Sequence, residues 1–359
     1  MRSYQEESEL WAARKQEIAG RLNKSGLPLV LFGKAPAVDC SFLCRLQVPV
    51  QYICDNNPEK HGTALWGLEV ISPNQLQDIY SAYNVLILVP FEDQIIPQLQ
   101  GLPIPPSEIF RLDLYFEEEG SAAYFQQMAP EIETICACLA DQESKDTYKR
   151  LIRYRINRDP AQIRGIALPR AAQYFPHDLG GRAFLRPDEI FVDAGAFTGD
   201  TVECFLAAAE GKFHTVYAFE PEGENYERLL HRVRGNPDIF CKQTAVGDKN
   251  GTIRFFSDDS GSKADRDGGE VVCVNTLDSL LRDVPVTFLK MDVEGMECQA
   301  LRGAKELIRK YHPKLAVCTY HSNADMIRVP QLILEMDPDY RLYFRHYTNA
   351  LVETVCYAI

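Results

Sequence analysis

The chain has 359 residues, long for one core, so two domains are expected. Its composition, 46% hydrophobic and 25% charged, is that of a globular protein, and no apolar run approaches the ~20 residues that a membrane span needs. A net charge of −13 argues against a large footprint on a nucleic-acid backbone, and the basic stretch Lys149–Arg158 reads as a solvated helix face.

The first residues, MRSYQEESELWAARKQE, are charged and lack the apolar segment of a signal peptide, so a cytoplasmic location is expected. A short helix opens the chain. Leu29–Gly33, Val50–Asp55 and Asn84–Pro90 then read as buried strands with helix-capable segments among them, the rhythm of a parallel sheet. This first α/β domain is placed at residues 1–115. A helical connector follows over 116–180, with helices expected at Glu117–Met128, Glu131–Asp141 and Lys145–Ile156. Pro160, Pro169, Pro176 and Gly180-Gly181 close it.

Residues 181–359 are more regular. Glu189–Asp193 is a strand, and Val202, Phe205, Leu206 and Ala209 recur on one helix face. Thr215–Glu220, Ile239–Val246, Gly251–Phe256, Val286–Asp292 and Lys314–His321 are further strands. Helices are expected before Gly235, from about residue 295 to Tyr311, and over Asp325–Met336. Tyr340–Tyr347 and Glu353–Ile359 read as a terminal hairpin, which gives a doubly wound sheet with an antiparallel edge. Ser257–Glu270 has no periodicity and reads as a polar loop. The eleven cysteines, many in apolar runs (Cys54, Cys241, Cys273, Cys318, Cys356), read as reduced buried thiols. Cys136-x-Cys138 and Cys40-x-x-x-Cys44 lack zinc spacing, and no structural metal is assigned.

The decisive stretch is FVDAGAFTGD, residues 191–200, where a strand meets two glycines four apart. Ligands of open α/β sheets bind beyond the carboxyl ends of the strands. A dinucleotide fingerprint needs a third glycine between Gly195 and Gly199, and a P-loop needs Gly-Lys-Ser/Thr where this chain has Gly199-Asp200-Thr201. An acid at that helix start repels phosphate. The loop therefore suits a ligand poor in negative charge, and the sulfonium S-adenosylmethionine meets the condition. Glu220-Pro221 ends the next strand, where a carboxylate can grip a ribose diol.

Residues 174–359 resemble an FkbM-family methyltransferase. The matching segments, in order, are FVDAGAFTGDT, YAFEPEGENYERL, TAVGDKNGTIRFF, VNTLDSL, FLKMDVEGMECQALRGA, AVCTYHSNADM and YFRHYTNALVETVCYAI. The resemblance implies the Rossmann-like class I methyltransferase fold, a seven-stranded sheet with one antiparallel strand, and S-adenosylmethionine as cofactor. It implies that Asp193, Gly195, Ala196, Phe197, Thr198 and Gly199 wrap the methionine and ribose portions, with Thr201 closing the loop. It further implies that Glu220 and Pro221 sit at the ribose, that Ala245, Val246 and Gly247 border the adenine, and that Asp292 lies near the reacting methyl.

Methyl transfer to a hydroxyl needs an in-line acceptor and a base. Asp292, Glu294 and His321, at neighbouring strand ends, are the catalytic candidates, and His321 has the pKa range of a base. The same two carboxylates and imidazole could also take a divalent cation. Tyr174 and Phe175 read equally as an entrance wall or as packing, and Arg345 and His346 as structural or surface. The expected activity is O-methylation of a glycan, sugar-linked or other small-molecule hydroxyl, with no nucleic-acid or membrane partner. Two alternatives stand beside it. In the first domain, Gly33 keeps one glycine of a dinucleotide fingerprint, Ala35 and Val38 replace the others, Pro36 removes a backbone N–H, and Asp55 holds the ribose-acid place. That domain is similar to small Rossmann-like domains of sugar-modifying enzymes. The chain could then be an NAD-dependent sugar oxidoreductase, or a non-catalytic nucleotide or nucleotide-sugar binder.

Overall fold

The computed structural model describes residues 3–33, 40–89, 92–112, 120–177, 179, 184–258, 261–264 and 270–359. The chain divides into two compact units: residues 1–126, 150–164 and 349–351 form the first, and 127–149, 165–348 and 352–359 the second. The three connector helices are present as Ser121–Gln127, Ala129–Cys138 and Gln142–Asn157, and their residues are shared between the units. The Gly180-Gly181 break, Pro90, and Ala35, Pro36 and Val38 lie outside the described residues.

The first unit holds six strands: β1 (Leu29–Phe32), β2 (Val50–Cys54), β3 (Ala64–Leu65), β4 (Leu68–Ile71), β5 (Asn84–Ile87) and β6 (Glu108–Arg111). Their order is β3-β4-β2-β1-β5-β6, parallel except for β3. Strand alternation sends Leu29 and Leu31 to one apolar layer, with Trp11, Ile18 and Leu22 of the first helix, and Val30 and Phe32 to the other, with Tyr80 and Leu99. Both faces are covered, as a parallel sheet requires. The sequence pattern missed β3, β4 and β6, which are short or partly exposed and so lack an apolar run.

The second unit holds β7 (Ile190–Ala194), β8 (Thr215–Glu220), β9 (Ile239–Gln243), β10 (Ala245–Val246), β11 (Gly251–Asp258), β12 (Gly261–Ala264), β13 (Glu270–Asn275), β14 (Phe288–Met291), β15 (Lys314–Cys318), β16 (Leu342–His346) and β17 (Thr354–Ala358). Seven of them form one sheet in the order β16-β17-β15-β14-β7-β8-β9. Only β17 runs against its neighbours. The terminal hairpin is as expected, but β17 inserts between β15 and β16, so the antiparallel strand is internal and not at the edge. The central strands β7 and β14 are buried throughout, which fits their near-continuous apolar runs.

Three further differences have local causes. Ile239–Val246 is two strands, because the chain leaves the large sheet at Thr244 and β10 joins a second sheet, β10-β13-β11-β12. The described part of Ser257–Glu270 is strand: β11 pairs with β12 as an antiparallel hairpin, built from polar residues that carry no hydrophobic period, while 259–260 and 265–269 lie outside the described residues. The helix expected up to Tyr311 is two, Glu297–Arg302 and Lys305–Tyr311, parted at Gly303. There the backbone touches Gly247 so closely that a Cβ would lie 1.9 Å from its carbonyl oxygen. Among the cysteines, Cys54, Cys318 and Cys356 are buried free thiols, whereas Cys273 is exposed. No helix among the described residues is long and apolar enough to cross a membrane.

Candidate active site

The carboxyl ends of β7, β8, β14 and β15 gather the sequence-derived residues. Beyond β7 the chain turns back at Gly195, whose φ is +80°. A Cβ there would lie 1.8 Å from the Asp292 carbonyl oxygen, so glycine is demanded by close approach as well as by φ. The Gly195 and Ala196 amides both donate to the Phe219 carbonyl, at 2.9 and 3.0 Å. Phe197 holds φ +46°, unusual for a large side chain, and is 53% exposed. Its amide donates to Glu220 Oε2 at 2.8 Å. Gly199, φ +85°, then admits the helix Asp200–Ala208, and Thr198 Oγ1 accepts a bond from Arg232 at 3.4 Å. Thr201 is buried in the first turn of that helix.

Glu220 is itself buried, and its Oε1 accepts from the Glu222 amide at 2.9 Å. Burial pushes its carboxyl up to about 7, against the pull of the two amides. The Glu220 carbonyl accepts from the Thr244 amide at 3.1 Å, and Gln243 reaches the Pro221 carbonyl at 3.3 Å. This brings Ala245 and Val246, both buried in β10, close to the end of β8. Gly247 follows, and a Cβ there would meet Val274 at 2.7 Å and Met296 at 3.6 Å.

Asp193 does not stand open on the loop. It is wholly buried, directly paired in register with Lys290 of β14. The Lys290 Nζ lies 2.8 Å from Asp193 Oδ1 and also donates to the Gly195 carbonyl at 2.8 Å. Burial raises the Asp193 carboxyl to about 6, moderated by Lys290, while the two carboxylates Asp193 and Asp292 hold the lysine charged despite its burial. The pair thus ties the loop backbone to β14.

Asp292, just past β14, collects donors. The Tyr174 hydroxyl donates to its Oδ2 at 2.9 Å, and the Tyr320 hydroxyl lies 3.2 and 3.3 Å from its two oxygens. Burial pushes this carboxyl up, but Lys290, His321 and the two phenols outweigh it and keep it below its ordinary value. Tyr174 is held for this with φ +66°, its amide donating to the Tyr357 hydroxyl at 2.9 Å. Tyr174 is therefore tied to Asp292, whereas Phe175 packs in the core against Phe191, Phe205 and Phe288. Arg345 and His346 are buried: Arg345 pairs with Asp141 at 2.8 Å and His346 lies 2.8 Å from Thr354 Oγ1.

His321, past β15, faces three carboxylates. Its Nδ1 is 3.0 Å from Glu297 Oε1, and its Nε2 is 3.5 Å from both Asp292 Oδ1 and Glu294 Oε2. Burial pulls the imidazole down, but Glu297 first and then Asp292 and Glu294 carry it up to about 10. Three carboxylates around the ring thus favour its protonated form over the free base. Glu294 is at φ +55° beside Gly295 at +90°, a turn that carries its side chain over His321. Glu297 is fully buried and its Oε1 also accepts from the Val293 amide at 2.9 Å, which fixes the turn 293–297.

Sequence reasoning missed Lys290, Glu297 and Tyr320. Lys290 had a signal: a lysine in one apolar strand and an aspartate in another, both too costly to bury unless paired. Glu297 and Tyr320 had none, because their roles depend on where β14 and β15 end in space. The first domain's Gly33 is covered by its own chain: a Cβ there would lie 2.4 Å from Val89. Asp55 is occupied in its own turn, accepting from the Asn57 amide at 2.9 Å with Lys60 at 3.4 Å.

The family model for the methyltransferase FkbM domain matches residues 193–350. Over its full length the chain is similar to the crystal structure of methyltransferase FkbM from Methylobacillus flagellatus KT, with 23% identity, a TM-score of 0.67, and 99% of this chain and 98% of that chain covered. Identity at that level speaks for the fold. Weaker partial likenesses include fibrillarin from Aeropyrum pernix in complex with natively bound S-adenosyl-L-methionine, at 15% identity and TM-score 0.32 over 48% of this chain and 67% of that one. Another is a SAM-dependent methyltransferase from Aquifex aeolicus, at 16% identity and TM-score 0.30 over 56% and 97%. No curated protein sequence matches the chain. Residues 193–350, within the seven-stranded Rossmann-like unit, thus match the methyltransferase FkbM domain model.

Proposed function

We propose that the second unit transfers a methyl group from S-adenosylmethionine to a hydroxyl of a glycan, sugar-linked or other small molecule. The observation that carries this reading is the bond from the Phe197 amide to Glu220, which holds the glycine loop and a buried carboxylate together at adjacent strand ends. The residues fit the cofactor. Each Glu220 oxygen accepts one backbone bond and keeps lone-pair capacity for a ribose hydroxyl. The loop 193–201 contains two acids and no basic residue, which suits a sulfonium and not a phosphate.

S-Adenosylmethionine, when bound, supplies an electrophilic methyl on a cationic sulfur. Glu220 would hold its ribose and the backbone of 195–199 its flank. Asp292, kept ionised by Lys290, Tyr174 and Tyr320, places a fixed negative charge where a cationic methyl donor and its amino group need one. Glu294, the most exposed of the three carboxylates around His321, takes the proton released by the acceptor hydroxyl. His321, between them, orients Asp292 and Glu294.

The test is titration calorimetry of the whole protein with S-adenosylmethionine and with its demethylated product, using NAD and a UDP-sugar as controls. Micromolar binding that Glu220→Ala weakens by at least about tenfold is expected, since two charged hydrogen bonds are lost. Binding of NAD or the UDP-sugar in place of S-adenosylmethionine would overturn the reading.

A further inference from the structure

His321 has carboxylates on both sides of its ring, and the two sides differ. Nδ1 faces the single oxygen Glu297 Oε1 at 3.0 Å. Nε2 faces two, Asp292 Oδ1 and Glu294 Oε2, each at 3.5 Å. Asp292, Glu297 and His321 each present a ligand atom within 4.8 Å of the others, but Nδ1 and Nε2 point to opposite edges of the imidazole, so one cation cannot use both. The Nε2 side has the larger donor set. Ligands bound cis at about 2.1–2.2 Å stand roughly 3 Å apart, so separations of 3.5 Å need only small side-chain adjustments.

The Nδ1 side has the form of a support. Metal-bound histidines almost always donate their second ring N–H to a carboxylate, which fixes tautomer and orientation. Glu297 is placed for that: it is fully buried, it is anchored by the Val293 amide, and its Oε2 has no hydrogen-bond partner among the described residues. A buried carboxylate with an oxygen left over is expensive unless the cluster gains positive charge.

We propose that Asp292 Oδ1, Glu294 Oε2 and His321 Nε2 form a binding site for one divalent transition-metal cation of the Mn2+ class, the ion displacing to solvent the proton that Nε2 otherwise carries, with Glu297 as the positioning residue behind His321. One imidazole with two carboxylates is a borderline-hard set that favours such an ion over Ca2+. The inference deepens the proposed function and rests on it for its role. The cation ligates the acceptor hydroxyl and lowers its pKa, which favours acceptors with hydroxyls able to chelate, such as vicinal diols of a sugar.

The experiment needs neither cofactor nor acceptor. The whole protein is stripped with a chelator and titrated with Mn2+, and free Mn2+ is followed by its EPR signal. One ion per chain is expected, with affinity reduced at least tenfold in Glu294→Gln and in His321→Asn, and 10- to 100-fold in Glu297→Gln. The half-exposed Glu294 makes Glu294→Gln the variant expected to fold normally, checked by its circular dichroism. No saturable Mn2+ binding, or binding unchanged in Glu294→Gln, overturns the site. S-adenosylmethionine binding is measured on the same metal-free samples. If it persists while Mn2+ fails to bind, the cation site falls and the methyltransferase reading stands.

Discussion

Glu220 is a single carboxyl with two jobs that pull its charge in opposite directions. Burial favours the protonated form and raises its pKa to about 7, while a ribose diol needs the ionised form as an acceptor. The linkage has a definite sign. Because the folded-state pKa lies above the ordinary value of 4.5, the stabilisation from protonated Glu220 is present below about pH 4.5 and is lost as pH rises through about 7. Cofactor binding runs the other way. If only the ionised form grips the ribose, S-adenosylmethionine should bind about tenfold more tightly at pH 8 than at pH 6, one proton's linkage across the window. Calorimetry at several pH values checks this, with Glu220→Gln as the flat control; a pH-independent wild type would remove Glu220 from the ribose. At this scale the sequence was legible where a polar residue ends an apolar run, as Glu220 and Asp292 do. It was not legible where charge state depends on neighbours from other strands. His321 reads alone as a base, and only the three carboxylates brought round it favour its protonated form.

The element that sets the site is the β7-to-helix turn, and its glycines are unequal. Gly195 combines φ +80° with a backbone oxygen 1.8 Å from any added Cβ. Gly211, at the end of the following helix, has φ +71° but open space around it. Gly211→Ala should cost about 1 kcal/mol, the strain of the left-handed conformation alone. Gly195→Ala adds a clash with the Asp292 carbonyl and should cost at least about 3 kcal/mol, with β14 and the loop forced apart. Urea unfolding of the two variants measures the difference; equal losses would mean that the turn yields easily and does not fix Asp292. The strand β7 before this turn and its sheet neighbours β8 and β14 were readable from their apolar runs, and the helix Asp325–Met336 was readable to the residue. The polar hairpin β11–β12 and the short β10 were not, because pairing partners distant in sequence make them strands.

At the scale of the whole molecule the question is which unit carries the chemistry, since each is an α/β unit with a mostly parallel sheet and either could hold a nucleotide-like ligand. The described residues tilt the answer. In the first unit the bare face of Gly33 is filled by Val89, and Asp55 is tied into its own turn, so the two positions a dinucleotide would use are engaged by the chain itself. In the second unit the glycine loop, Glu220 and Asp292 converge through contacts that leave Phe197 and Glu294 accessible. Hydrogen exchange followed by mass spectrometry reads this directly. Adding S-adenosylmethionine should slow exchange in segments 194–201, 219–223, 244–247 and 291–297, because a ligand that binds only the native state raises the free energy of every local opening it spans. At a ligand concentration of 100 times Kd the gain is about 2.7 kcal/mol, roughly a hundredfold in exchange rate for amides that exchange through that opening. Segments 29–33 and 54–61 should be unchanged. Protection there, produced by NAD or a nucleotide-sugar and absent from 194–201, would move the ligand to the first unit and leave the carboxylates around His321 without a methyl donor to serve.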